Sequence, residues 1–195
     1  MEQNETAVKI LRAAQDCFFR HGFSKANLTL IAEYAGFSRV TIYKYFRSKE
    51  ALFKEVAQAF LNERIAETEV MLLVEENLWK RLEYLIFSWI VSPFESIGDD
   101  WVAADLSHAH KLGNQDVEAA AQSALQGFLR RLVEEAQTNG QIDLARLGLT
   151  GEDLVEVLDV MLSGLFDRKV ENIGREALKL IGFFRATLGS PREQP

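Results

Sequence analysis

Between Ser38 and Lys49 the chain runs SRVTIYKYFRSK, bringing Arg39, Val40, Thr41, Tyr43, Lys44 and Tyr45 together within two turns of any helix. These side chains offer no nucleophile with a base beside it and no metal-ligand spacing. They offer cations, hydroxyls and phenols, the groups that hydrogen-bond phosphates and base edges. If Ile42 and Phe46, four apart, form the inward edge of a helix, then Val40, Thr41 and Lys44 point most nearly away from it. Tyr43 and Tyr45 then sit on the two flanks. Such a face suits a groove of DNA: Lys44 reaches base acceptors or phosphate, Thr41 hydrogen-bonds, Val40 meets a thymine methyl, and the phenols reach the phosphate walls. An ordinary amphipathic corner of a helical protein is the plainer reading, but it gives an outward valine no packing reason.

The elements that must position this run come just before and after it. Leu28, Ile31, Ala32 and Ala35 fall on one face of a helix over 28–35, with Asn27 placed to cap it. Gly36-Phe37-Ser38 breaks the pattern, Gly36 suiting a left-handed stop and Ser38 the start of a helix over about 39–45. Two short helices joined by a three-residue turn containing Gly make a helix-turn-helix. Thr29 lies off the apolar stripe in the first turn. Ser48 caps a long helix of about 49–72, with Lys49 in a first turn whose dipole disfavours a cation. A phosphate approaching that N-terminus would explain the broken rule. The candidate DNA-binding set is therefore Asn27, Thr29, Ser38, Arg39, Val40, Thr41, Tyr43, Lys44, Tyr45 and Lys49.

From Ile10 to about Val56 the pattern IL-x-AA…F…GF followed by LIAEYAGFSRVTIYKYFRSKEALF resembles the tetracycline-repressor (TetR) family of transcriptional regulators. Val40 stands where that family usually has a small residue, and Leu30 where it often has an acidic one. The resemblance implies an all-α protein: a three-helix DNA-binding head, a helical body that binds an effector and dimerises, and a phosphate role for Lys49.

Whole-chain charge points the other way until it is divided. The net charge is −7, yet residues 1–60 hold nine Lys/Arg against six Asp/Glu, and the remaining residues carry a net −10. A basic head on an acidic body is the asymmetry of a DNA reader with a separate second domain. A single Cys17 excludes an internal disulfide, and the polar start MEQNETAVKI lacks a signal-peptide core, so a cytoplasmic setting is expected. No apolar run is long enough to span a membrane.

The remaining pattern predicts about nine helices in all. The first covers 5–21, with Val8, Leu11, Ala14 and Phe18 on one face, and His21 is expected to cap its end. Later helices are expected over about 77–91, 101–112, 115–138, 152–169 and from beyond Asn172 to Leu188. Domains are accordingly expected at 1–48 and 49–195. The last two helices are apolar on more than one face, which implies a further partner. A two-fold dimer through a bundle of about 152–188 follows, also implied by the resemblance, with Leu158, Met161, Leu165, Phe166, Ile181 and Phe184 as its candidate residues.

No GxSxG, P-loop, GxGxxG or HExxH occurs, and His108 and His110, roughly 200° apart on a helix, cannot share a metal. No catalytic residue, metal or cofactor is expected. An apolar or aromatic effector is expected among Trp79, Phe87, Trp101, Asp105, His108 and Phe128, although an aromatic core would explain the rings as well. The sequence thus predicts a ligand-responsive repressor that binds a near-palindromic operator on double-stranded DNA as a homodimer. The rival is an effector-binding or protein-interaction module whose head no longer reads DNA.

Overall fold

The computed structural model describes residues 2–91, 97–167 and 173–189, with side chains described from Glu5 onward except at 165–167. Among the described residues nine α-helices form and no strand, apart from one isolated bridge between Ile142 and Gly189. The helices are α1 (Glu2–Lys25), α2 (Leu28–Ala35), α3 (Arg39–Tyr45), α4 (Lys49–Val74), α5 (Leu78–Ile86), α6 (Asp100–Gly113), α7 (Gln115–Thr138), α8 (Gly151–Asp167) and α9 (Ile173–Leu188). A π-turn, Phe87–Val91, continues α5.

Local chemistry sets the ends of these helices. Asn27 Oδ1 accepts the N–H groups of Thr29 and Leu30 at 3.0 Å, satisfying donors that a helix start leaves orphaned. Gly36 closes α2 at φ 68°, where its own N–H and that of Phe37 return to the carbonyls of Glu33 and Ala32. Ser38, Asn77 and Asp99 cap α3, α5 and α6 in the same way. Thr150 and Asp153 cap α8 reciprocally. Gly140, at φ 66°, lies just beyond the end of α7.

The described residues divide into two compact units. The first runs to Glu63 and adds residues 97–121; the second comprises residues 64–91 with 122–167 and 173–189. This grouping crosses the division expected at residue 48, because α6 packs on α1 and gives Val102 and Leu106 to the same core. In α1, Ile10, Ala14, Cys17 and Phe18 form the buried stripe, while Val8, expected on it, faces outward. Phe18, Phe23 and Phe53 interlock, with ring centroids 5.0 Å apart for Phe18–Phe53 and for Phe23–Phe53.

The second unit is organised around α5, the π-turn, α8, α9 and the later part of α7. There Trp89 Nε1 donates to Thr68 Oγ1 at 2.9 Å, both side chains being buried, so each polar group is satisfied by the other. Arg130 holds Glu152, and Gln126 donates to Asp159, tying α7 to α8. No helix among the described residues is long and apolar enough to cross a membrane.

Within α3 only Ile42 is buried, at 0% exposure, and Phe46 follows it into the core one turn later. Ile42→Ala is expected to lower unfolding free energy by about 2–5 kcal/mol. Val40→Ala, on the opposite side, should stay within about 0.5 kcal/mol of the parent. Urea midpoints measure both, and equal losses would contradict this assignment of faces.

Candidate nucleic-acid interface

Helix α3 presents its outward residues in a defined internal arrangement. Ser38 Oγ accepts the N–H of Thr41 at 3.1 Å and lies 2.9 Å from Thr41 Oγ1, so the Thr41 hydroxyl is directed at the cap. Arg39 Nη2 donates to Tyr43 Oη at 3.2 Å, and its guanidinium lies 5.4 Å from the centroid of the Tyr43 ring. That contact pairs a cation with a phenol on one flank. Lys44 is exposed. Val40 is 68% exposed, the highest of any large apolar residue in the helix-turn-helix.

Other members of the expected set are placed differently. Tyr45 is half-buried and packs against the core, so its ring is not a free flank of the helix. Asn27 spends its side-chain oxygen on the α2 cap. Thr29 is exposed at the first turn of α2. His21 does not cap α1; its Nε2 lies 2.8 Å from Tyr34 Oη and ties α1 to α2.

Lys49 also has a reason inside the protein. Its Nζ donates to the carbonyls of Phe23 and Ala26 at 2.8 and 3.1 Å and sits 4.2 Å from the centroid of the Phe23 ring. A cation in the first turn of α4 therefore offsets its unfavourable helix position by serving acceptors where α1 ends. No sequence spacing signals this contact.

The same end of α1 is held from α6. Gly22 bends the helix at φ 78°, and a Cβ there would stand 2.5 Å from Asp105 Oδ2 and 3.1 Å from the Trp101 ring. Asp105 accepts the Ser24 N–H at 2.8 Å and the Ser24 hydroxyl in a second, short bond. Lys25 Nζ stands 4.0 Å from the Trp101 ring centroid. Asp105 and Trp101 thus secure the head, a role the sequence reading missed because the partners lie about eighty residues apart.

The six expected effector residues are divided between the two units. Trp101, Asp105 and His108 belong to the first unit; Trp79, Phe87 and Phe128 belong to the second. Phe128 is buried with its ring centroid 5.7 Å from that of Trp89, and Phe87 is half-buried. Trp79 borders an apolar void of about 20 Å³ between α5, α7, α8 and α9, room for about one water. Trp79 and Phe128 are thus part of the packed core.

Of the expected dimer residues, Leu158, Ile181 and Phe184 are buried within the chain itself and Met161 is half-buried. The side chains of Leu165 and Phe166 lie outside the described residues. The outward apolar side of α8 and α9 is instead Val157, Val160, Leu178 and Phe183. Apolar periodicity showed that both helices carry two faces but could not say which one turns inward.

Burial pushes the Cys17 thiol up to about 11, so near neutrality it is a protonated core side chain rather than a thiolate. Among the described residues no group of three His, Cys, Asp or Glu side chains could hold a metal.

A capped helix-turn-helix with an outward cation and hydroxyl-bearing flanks defines a DNA-binding protein. Residues 10–56 match the sequence model of the bacterial regulatory proteins, tetR family. Over 192 residues the chain is 27% identical to the HTH-type transcriptional repressor AcnR of Corynebacterium jeikeium, covering 96% of this chain and 94% of that one. It is 26% identical to the HTH-type transcriptional regulator UidR of Escherichia coli, again covering 96% of this chain and 93% of the other. A TetR transcription regulator from Haloarcula marismortui has the same fold at TM-score 0.74 and 16% identity, over 95% of this chain and 99% of that one. A transcriptional regulator from Saccharomonospora viridis, solved with choline, matches at TM-score 0.75 and 16% identity over 96% and 99%. Residues 10–56 thus carry the tetR-family DNA-binding region, and the chain, similar over nearly its whole length to transcriptional regulators, is a DNA-binding transcriptional regulator. That family is one of regulators rather than enzymes.

Two measurements test these placements. Lys49→Ala is expected to destabilise the fold by about 1.5–3 kcal/mol, as loss of hydrogen bonds from a charged donor does. Unchanged urea midpoints with uniformly weaker DNA binding would instead assign Lys49 to phosphate. Cys17 should resist iodoacetamide at pH 8 in the native protein and react once urea unfolds it, which mass spectrometry reads directly.

Proposed function

We propose that the protein is a ligand-responsive repressor that binds a near-palindromic operator as a homodimer, with one α3 in a major groove of each half-site. The observation that carries the reading is the outward face of α3, where Val40 and Lys44 stand clear of the core on a helix fixed from behind by Ile42. Thr29 and the Arg39–Tyr43 pair flank that face and are assigned to phosphate, setting the helix's register. Half-sites are then about 34–36 Å apart, or a multiple of that.

Dimerisation is assigned to the outward side of α8 and α9. Val160 at 66% exposure and Phe183 at 59% would be costly to leave in water. A Cβ built at Gly164 or Gly182 meets nothing within 4 Å, which leaves space for another helix to approach these positions. Effector response is assigned to the second unit. Its apolar void of about 20 Å³ would have to open to admit an organic ligand, which would favour one conformation over another, whereas a hollow of about 230 Å³ bordered by Leu72, Leu73, Arg81 and Arg131 already has room for a small one. A ligand's effect is limited to its difference in affinity between the two conformations.

Binding measured against salt should give a log–log slope of about −0.9 for each phosphate contact. Lys44→Ala is expected to weaken the preferred duplex more than unrelated DNA. Indifference to every duplex at low salt would overturn the reading. Val160→Asp with Phe183→Asp should yield a folded monomer by sedimentation with much weaker operator binding, whereas a persistent dimer would place the interface elsewhere.

A further inference from the structure

Resting on the DNA-reading function just assigned, we propose that Val40 is a specificity determinant: it seats on the C5-methyl of a thymine and makes a T·A pair at that step a requirement of each half-site. The neighbouring polar groups already have partners, Thr41 with Ser38 and Arg39 with Tyr43. Val40 stands between these pairs, 68% exposed, as the apolar point of the helix's outward side. Valine is branched at Cβ and stiff at χ1, so it offers two methyls in a fixed position rather than an adaptable chain.

Along the floor of the major groove, thymine alone presents a methyl; the other base edges present donors or acceptors. Against those edges Val40 removes water and returns no hydrogen bond, so it selects for thymine and also against cytosine or a purine. Lys44 lies one turn further on, about 6 Å along the helix axis. Its ammonium therefore addresses acceptors on a different base pair from the thymine, guanine O6 and N7 being the best match.

The test uses the full-length protein and the duplex it selects from a random pool. Each thymine of a half-site is replaced in turn by deoxyuridine, which removes only the methyl. At one position the parent protein should lose roughly three- to five-fold in affinity, the value of one buried methyl group. Replacing both symmetry-related thymines should multiply those losses. Val40→Gly, which removes the apolar side chain at a modest cost in helix propensity, should remain folded and bind DNA, yet no longer distinguish thymine from uracil there. Equal affinity for uracil and thymine at every position, a selected half-site without thymine, or undiminished discrimination by Val40→Gly would each overturn the proposal while DNA reading stands. A protein that selects no duplex at all would remove the DNA reading and this inference together.

Discussion

A helix of seven residues has no stability of its own in water, since nucleation costs more than so few hydrogen bonds return. Helix α3 is that short, and it exists because Ile42 is driven into the core while Ser38 caps one end and Phe46 anchors the other. Gly36 sets the angle at which the chain enters it, and only a residue tolerant of φ 68° closes α2 there without strain. Fixing the helix entirely from its inner edge leaves the outer side unconstrained by folding. Val40, Lys44 and Tyr43 are therefore free of any packing requirement from the core.

The scaffold behind α3 is held by contacts at one place, the end of α1. Lys49 reaches the carbonyls of Phe23 and Ala26 from α4, Asp105 reaches Ser24 from α6, and Trp101 lies under Lys25. Each joins a charged group to acceptors, donors or a ring face that the bend at Gly22 would otherwise leave to water. The aromatic trio Phe18, Phe23 and Phe53 fills the space beneath. Pairs as exposed as Lys54–Asp116 add little beside these.

Features governed by neighbours in the chain were legible in the sequence. The helix-turn-helix, the Asn27 and Ser38 caps and the Gly36 stop all depend on residues within one turn of each other. Features governed by distant partners were not. Nothing in its surroundings marks Lys49 as a cap for α1, or Asp105 as the holder of Ser24. The sequence shows two apolar faces on α8 and α9, yet Leu158, Ile181 and Phe184, expected at a dimer seam, are buried within the chain, because periodicity gives directions and not neighbours. Aromatic composition alone does not separate a pocket from a core, because a binding site and a tight core draw on the same side chains.

The first compact unit is assembled from two separate stretches of chain, with about thirty residues of the other unit between them. During synthesis the reading head therefore emerges before α6, and until α6 arrives the core lacks Val102 and Leu106 while Ser24 lacks its carboxylate. Closing a loop of that length adds only modest entropy, so the delay is one of order rather than of equilibrium. A fragment cut after residue 56 would retain the whole family fingerprint and yet be missing part of its own wall. For this protein the stretch that a motif identifies is smaller than the stretch that must fold for the motif to have a shape.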